Sequence, residues 1–200
     1  TQLLADCETG RRELIAALGI PPERISAVPL GVDLARFHPE PNPAIAAGIR
    51  ARYGVRPPYL LSVSSIYPWK NYANLLRAFA RLDAPQASLV IVGKPMHAET
   101  YQELLALRRT LGLEGRALFL IALADGELPQ LCRDALLYVY PSYFEGFGLT
   151  QLEAMACGAP LVTSGVSVMP EICGDAALYF DPFDVEDMAA TITRALTDGP

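Results

Sequence analysis

Short apolar runs alternate along this chain with stretches whose apolar residues recur at helical spacing. Tyr59 to Val63, Ser88 to Val92, Ala117 to Ile121, Ala135 to Tyr140, Pro160 to Thr163 and Ala177 to Phe180 are the runs. Continuous apolar segments of about four to eight residues read as strands buried on both faces. The intervening stretches predict helices over Ala44 to Tyr53, Tyr72 to Leu82, Ala98 to Leu111, Thr150 to Cys157 and Val185 to Leu196, with a short helix from an Asp125 cap through Arg133. Gly54 and Pro57-Pro58 stop the first of these. The amino-terminal part reads as a strand over Thr1 to Ala5, an N-cap at Asp6, and a helix over Glu8 to Leu18 closed by Gly19. Strands alternating with helices predict an α/β fold built on a doubly wound parallel sheet.

Ligands of such sheets sit beyond the carboxyl ends of the strands. That rule gathers Ser64 to Lys70, Gly93-Lys94-Pro95, Leu123-Ala124-Asp125, Glu145 to Leu149 and Ser164 to Glu171 on one edge. The stretch Pro141 to Pro160 is the richest of them. Its strand runs through a turn holding Gly146 and Gly148 into a helix, a geometry that brings unpaired helix amides to the strand end and binds phosphate without a basic side chain. Glu145 and Glu153 bracket the turn with seven residues between them. A carboxylate accepts hydrogen bonds in pairs and suits vicinal hydroxyls. Phosphate and polyol sites together point to a sugar nucleotide. The plainer reading is a common strand-to-helix turn followed by a first-turn glutamate that suits the helix dipole.

The same run, Pro141-Ser142-Tyr143-Phe144-Glu145-Gly146-Phe147-Gly148-Leu149-Thr150-Gln151-Leu152-Glu153-Ala154-Met155-Ala156-Cys157-Gly158-Ala159-Pro160, is similar to the signature of the retaining, family-four (group 1) glycosyltransferases of the GT-B fold. The resemblance implies a Rossmann-like half of such an enzyme, with a nucleoside-diphosphate sugar as substrate and no metal. It implies that Glu145 is the catalytic carboxylate, orienting the hexose and stabilising its developing positive charge, while the leaving phosphate helps to deprotonate the acceptor. Glu153 would hold the ribose. The backbone of Gly146, Phe147, Gly148, Leu149 and Thr150 would hold the phosphates, with Thr150 standing where the family most often has proline. Lys70 matches the family's diphosphate lysine. Ser65 and Ser64 stand where arginine and glycine are usual, so one phosphate cation is absent. Gly93 and Lys94 match the segment lining the nucleotide, and Leu123 lies in the base-reading loop, where Ile121 replaces a frequent glycine. Pro170-Glu171 also matches, its role left open near the phosphate edge.

The segment Ser26 to Pro39 resembles the start of the second domain of these enzymes. The expectation is therefore a single donor-binding domain over residues 1–200, with the acceptor-binding N-terminal domain and the closing C-terminal helices absent from a chain that stops at Asp198-Gly199-Pro200. A saccharide or glycolipid acceptor would reach the site through that other domain.

Composition narrows the choice. Two hundred residues suit one domain with a full core. A hydrophobic content of 52% and a mean hydropathy of +0.24 fit a buried parallel sheet. No apolar run nears the roughly 20 residues that span a bilayer, and no signal peptide is evident. A cytoplasmic location is expected, with peripheral membrane contact only for a longer parent. Cys7, Cys132, Cys157 and Cys173 are scattered, which suggests neither a disulfide framework nor a metal site. A net charge of −6 argues against a nucleic-acid surface. His38 and His97 are far apart and neither is assigned to catalysis, His38 being expected in an exposed loop. Asp181, Asp184, Glu186 and Asp187 are better read as charging the start of the last helix than as a metal site. A dehydrogenase is disfavoured because the first strand-helix turn lacks Gly-x-Gly-x-x-Gly. The glutamate pair argues against a sugar-nucleotide epimerase. A sugar-nucleotide-binding module without transfer activity remains the alternative, and UDP, GDP and ADP all remain open as the nucleotide.

Overall fold

The computed structural model describes residues 2–197. Its main body is a six-stranded parallel sheet formed by β3 (Tyr59–Val63), β4 (Ser88–Val92), β5 (Ala117–Leu120), β6 (Leu137–Tyr140), β7 (Leu161–Ser164) and β8 (Leu178–Phe180). The order is β5-β4-β3-β6-β7-β8. The chain thus runs outward from β3 to β5, returns to the other side of β3 as β6, and runs outward again. Leu60 of β3 pairs with Leu89 on one side and with Leu137 on the other. The crevice between β3 and β6 is the place where the winding direction reverses, and ligands of open α/β sheets collect there.

Alternation along β3 divides the core. Tyr59, Leu61 and Val63 pack with Ile49 of α2 (Pro43–Tyr53), Leu131 of α5 (Glu127–Asp134) and Ala154 of α6 (Leu149–Ala156). Leu60 faces the opposite layer, with Leu75, Leu76 and Phe79 of α3 (Tyr72–Arg81), Leu104 of α4 (Ala98–Thr110) and Met188 and Ile192 of α8 (Val185–Thr197). Both faces of the sheet are covered, so its strands carry the continuous apolar runs seen in the sequence. The doubly wound α/β expectation holds.

Residues 3–27 form a second, smaller unit. β1 (Leu3–Ala5), α1 (Glu8–Leu18) and β2 (Ile25–Ala27) make a two-stranded parallel sheet, Leu3 opposite Ile25 and Ala5 opposite Ala27. Thr1, which opens the predicted first strand, and Asp198-Gly199-Pro200 lie outside the described residues. β2 was not predicted because three residues carry too little pattern. The short helix α7 (Met169–Cys173), begun with Pro170 in its first turn, was missed for the same reason.

Two predicted caps are corrected. α1 is capped by Cys7, whose extended backbone lets its sulfur accept the Gly10 N–H at 3.2 Å, not by Asp6. α5 is capped by Gly126 at φ 77°, not by Asp125. There the Glu127 carboxylate folds back onto the Ala124 N–H at 2.6 Å and fixes the loop that leads into the helix, which has no side-chain cap.

Candidate functional site

The loops that follow β3 and β6 meet at the switch point. After β3, the Ser64 N–H donates to Val92 O and the Ile66 N–H to Lys94 O, at 3.0 and 2.8 Å. Gly93 is packed so closely that a Cβ built on it would lie 1.8 Å from Ser64 O. Gly93-Lys94-Pro95 is therefore a brace against the β3 loop as well as a strand-end turn. Ser65 lies half-buried beside that contact.

A single 3-10 turn, Pro68–Lys70, leads to Asn71 at φ 58°. Asn71 is buried, and its Nδ2 donates to Pro141 O and Pro182 O, both at 2.9 Å. The Tyr143 N–H donates to Trp69 O at 2.9 Å. Asn71 thus pins the β3 loop to the β6 loop, a role the sequence analysis did not assign. The usable signal was an asparagine directly before a helix, since asparagine tolerates positive φ better than most side chains.

Held in this way, Lys70 and Glu145 face each other. The Lys70 ammonium donates to Glu145 Oε1 at 2.6 Å and Oε2 at 2.8 Å, and the two side chains are only 13% and 10% exposed. The ring of Tyr140 lies 5.9 Å from the ammonium. Burial first, and the Glu145 charge second, push the Tyr140 hydroxyl far above its ordinary range, so it stays protonated beside the carboxylate. Ser167, at φ 58°, accepts the Glu145 N–H at 3.3 Å and donates its hydroxyl to Glu145 O at 3.2 Å.

Beyond Glu145 the turn opens. Gly148 has φ 90°, a conformation that favours glycine, and a Cβ there would lie 2.5 Å from Gln151 Nε2. Gly146 has neither constraint, with open space where its Cβ would be. The Phe147 side chain is buried in the core, which leaves its backbone for the turn. Among the described residues, the N–H groups of Gly146, Phe147, Gly148, Leu149 and Thr150 meet no protein acceptor; the first bond of α6 runs from Gln151 N–H to Gly148 O at 3.0 Å. The Thr150 hydroxyl donates to Val63 O at 3.1 Å and ties the helix start to the end of β3.

On the β4 side lies an open cleft of about 440 Å³ lined by Gly93, Lys94, Ile121, Leu123, Asp125 and Arg36 among others. Lys94 is exposed on it, with no ion-pair partner among the described residues. The cleft's loop is held by Glu127, whose buried carboxylate also takes Arg52 at 2.6 Å and the Tyr53 hydroxyl at 2.8 Å. Arg36, also missed in the sequence, pairs with Asp125 at 3.1 Å at the surface. Glu153 is half-buried on α6. Burial raises its carboxyl above the ordinary value, and the nearby Arg36 charge works against that rise.

The remaining expectations meet different outcomes. The Glu171 carboxylate accepts the Glu8 and Thr9 N–H groups, each at 2.7 Å, and so caps α1 of the small unit. Burial pulls this carboxyl up, but the Thr9 hydroxyl and the two amides outweigh it and hold it below its ordinary value. His38 is half-buried, not exposed. His97 caps α4 through Nδ1, which accepts the Thr100 N–H at 3.2 Å. Asp184 accepts the Glu186 and Asp187 N–H groups at 2.8 and 3.1 Å, so the acidic cluster charges and caps α8.

Comparison with known proteins gives the arrangement a setting. A family model described as "Glycosyl transferases group 1" matches residues 49–200. D-inositol 3-phosphate glycosyltransferase of Salinispora tropica is 36% identical over 177 residues, which cover 82% of this chain and 37% of that protein. Among solved structures, Anabaena HepE in complex with UDP-glucose superposes with a TM-score of 0.87 at 26% identity, over 98% of this chain and 54% of that one. Sucrose-phosphate synthase from Thermosynechococcus elongatus gives 0.82 at 27% identity, over 98% and 49%. The chain therefore spans about half or less of each of these three proteins.

Proposed function

This chain belongs to the group 1 glycosyltransferases, and from that premise we propose that it is the donor-binding part of a retaining enzyme. The enzyme would transfer a hexose from a nucleoside-diphosphate sugar to a saccharide or lipid-linked acceptor. The observation that carries the reading is the meeting, at the β3/β6 switch point, of acceptor-free amides at residues 146–150 with the Lys70–Glu145 pair. Amides at a helix start suit a diphosphate. The cleft over Gly93, Lys94 and Leu123 suits the nucleoside, and UDP-glucose in the HepE complex supports a UDP-hexose as donor.

In this reading the bond between the anomeric carbon and the diphosphate oxygen breaks, and the nucleoside diphosphate leaves with that electron pair. The acceptor hydroxyl oxygen bonds to the same carbon from the same face, and its proton passes to the leaving phosphate. Glu145 lies where positive charge develops on the sugar and stabilises it. Lys70 and the amides hold the phosphate charge, and Lys94, exposed on the nucleoside cleft, is a further cation of the site, where Ser65 supplies none. The acceptor is bound by the portion of such proteins that this chain does not span. This reading calls for no metal and sets the reaction in the cytoplasm. Among the described residues no helix is long and apolar enough to cross a membrane.

Glu153 tests the nucleoside end. It sits on a packed helix away from the reacting carbon, so its bonds to ribose would be equal in ground and transition states. Glu153→Ala in the transferring protein is expected to raise the donor KM roughly tenfold, with kcat little changed. A steady-state donor titration checks this, and a loss confined to kcat would contradict the placement.

A further inference from the structure

We infer that Lys70 and Glu145 form an exchangeable pair: each neutralises the other in the empty site, and an arriving diphosphate draws Lys70 away and frees Glu145 for the hexose. The inference rests on the donor-site reading above. Its starting point is that two residues with different ligands are bonded to each other. Both carboxylate oxygens are engaged by the one ammonium, at 2.6 and 2.8 Å, in a pocket that leaves each side chain little exposed.

The surroundings permit the exchange. The backbone at Lys70 is fixed through its neighbour Asn71, and that at Glu145 through Ser167. What remains mobile is the four-carbon lysine stem, a flexible carrier of a point charge. The acceptor-free amides begin at Gly146, one residue beyond Glu145, at a spacing of about 3.8 Å per residue. A phosphate seated on them lies within the sweep of the lysine. After Lys70 leaves, the protonated Tyr140 hydroxyl still faces the carboxylate.

The exchange links the two halves of the donor. A nucleoside diphosphate alone takes Lys70 and leaves Glu145 without a partner for its charge. A nucleoside-diphosphate hexose takes Lys70 and gives Glu145 the sugar hydroxyls in return. Once the hexose has been transferred, Glu145 competes with the spent nucleotide for Lys70 and weakens its hold. The pair therefore favours binding of donor over product.

A double-mutant cycle read by calorimetry on this chain separates exchange from simple repulsion. The probes are UDP, GDP and ADP, then the hexose conjugate of whichever binds. Glu145→Gln is expected to tighten the free nucleotide by about three- to thirtyfold, as expected for relief of a partly buried pair, and to weaken the hexose conjugate. In a Lys70→Gln background the same Glu145→Gln change should leave nucleotide affinity unaltered. A gain that persists without Lys70 means that Glu145 merely repels phosphate, and overturns the exchange. So does the absence of any gain in the parent chain. If none of the three nucleotides binds the parent chain, the donor-site reading itself fails, and the exchange with it. The amide spectrum of each variant reports its fold, and Glu145→Ala repeats the test should Glu145→Gln not fold.

Discussion

Replacing Glu145 with glutamine in the transferring protein is expected to lower kcat by roughly 10²-fold or more while the donor still binds. Glutamine keeps the size and part of the hydrogen bonding and removes only the charge. The carboxylate is 10% exposed and anchored through its own backbone by Ser167, so the field it exerts on a sugar above the turn is poorly screened by water. Stabilisation that matters only as positive charge develops appears in kcat. Tighter retention of the spent nucleotide by this variant acts in the same direction, and single-turnover measurements separate the chemical step from release. A near-normal chemical rate in Glu145→Gln would remove the residue from catalysis and leave it a role in binding alone.

The second large effect is expected at Gly93. A methyl group there would stand 1.8 Å from the Ser64 carbonyl oxygen and 2.7 Å from its carbon, both backbone atoms that no rotamer change can move aside. Gly93→Ala must push the ends of β3 and β4 apart and break the ladder that runs from Ser64 to Val92 and from Ile66 to Lys94. A loss on the order of 3 kcal/mol is expected, read as a lower midpoint in urea. Gly146→Ala is the contrast. It meets nothing within 4 Å and has no positive φ, so its stability should stay within about 0.5 kcal/mol of the parent. It should nevertheless weaken nucleotide binding, because the methyl group fills the space in front of the acceptor-free amides. Equal urea midpoints for Gly93→Ala and the unsubstituted chain would show that the β3–β4 brace is not needed. Unaltered binding in Gly146→Ala would show that nothing approaches the turn.

These two glycines show what the sequence could and could not reveal. Both were picked out as strand-end glycines, yet one is required by the packing of two loops and the other by neither packing nor backbone conformation. Only the folded packing distinguishes them. The strands β3 and β4 were read with their observed bounds because each is an apolar run cut off sharply, by Pro57-Pro58 before Tyr59 and by Gly93 after Val92. The caps at Asp6 and Asp125 were misread because aspartate is a good cap in general, whereas the local backbone placed a cysteine sulfur at the first helix start and a glycine at φ 77° at the second. Pro170-Glu171 was recognised as a pattern near the phosphate edge with its role open; its partner amides at Glu8 and Thr9 lie more than 160 residues away in sequence, beside Cys7, whose thiol donates to Gly146 O at 3.6 Å.

The candidate site was legible as separate pieces. The amide turn, the two glutamates and the lysine each stood out from residue type and position at a strand end. Their assembly did not, because Lys70 and Glu145 are 75 residues apart and meet only if β6 returns to lie beside β3. That return is a property of strand order, which apolar periodicity does not encode. Asn71 and Arg36 went unassigned for a related reason. Their importance lies in which loop carbonyls and carboxylates come within reach after folding.

The central claim, that a nucleoside diphosphate binds at the β3/β6 switch point, is tested most directly by titrating this chain with UDP, GDP and ADP while following its backbone amide signals. The predicted result is that at least one nucleotide produces its largest shifts at Gly146, Phe147, Gly148, Leu149 and Thr150, with smaller shifts at Gly93, Lys94 and Leu123. Unmoved signals at these residues with all three nucleotides at millimolar concentration, or shifts centred on the opposite end of the sheet around Pro160 and Ala177, would contradict it.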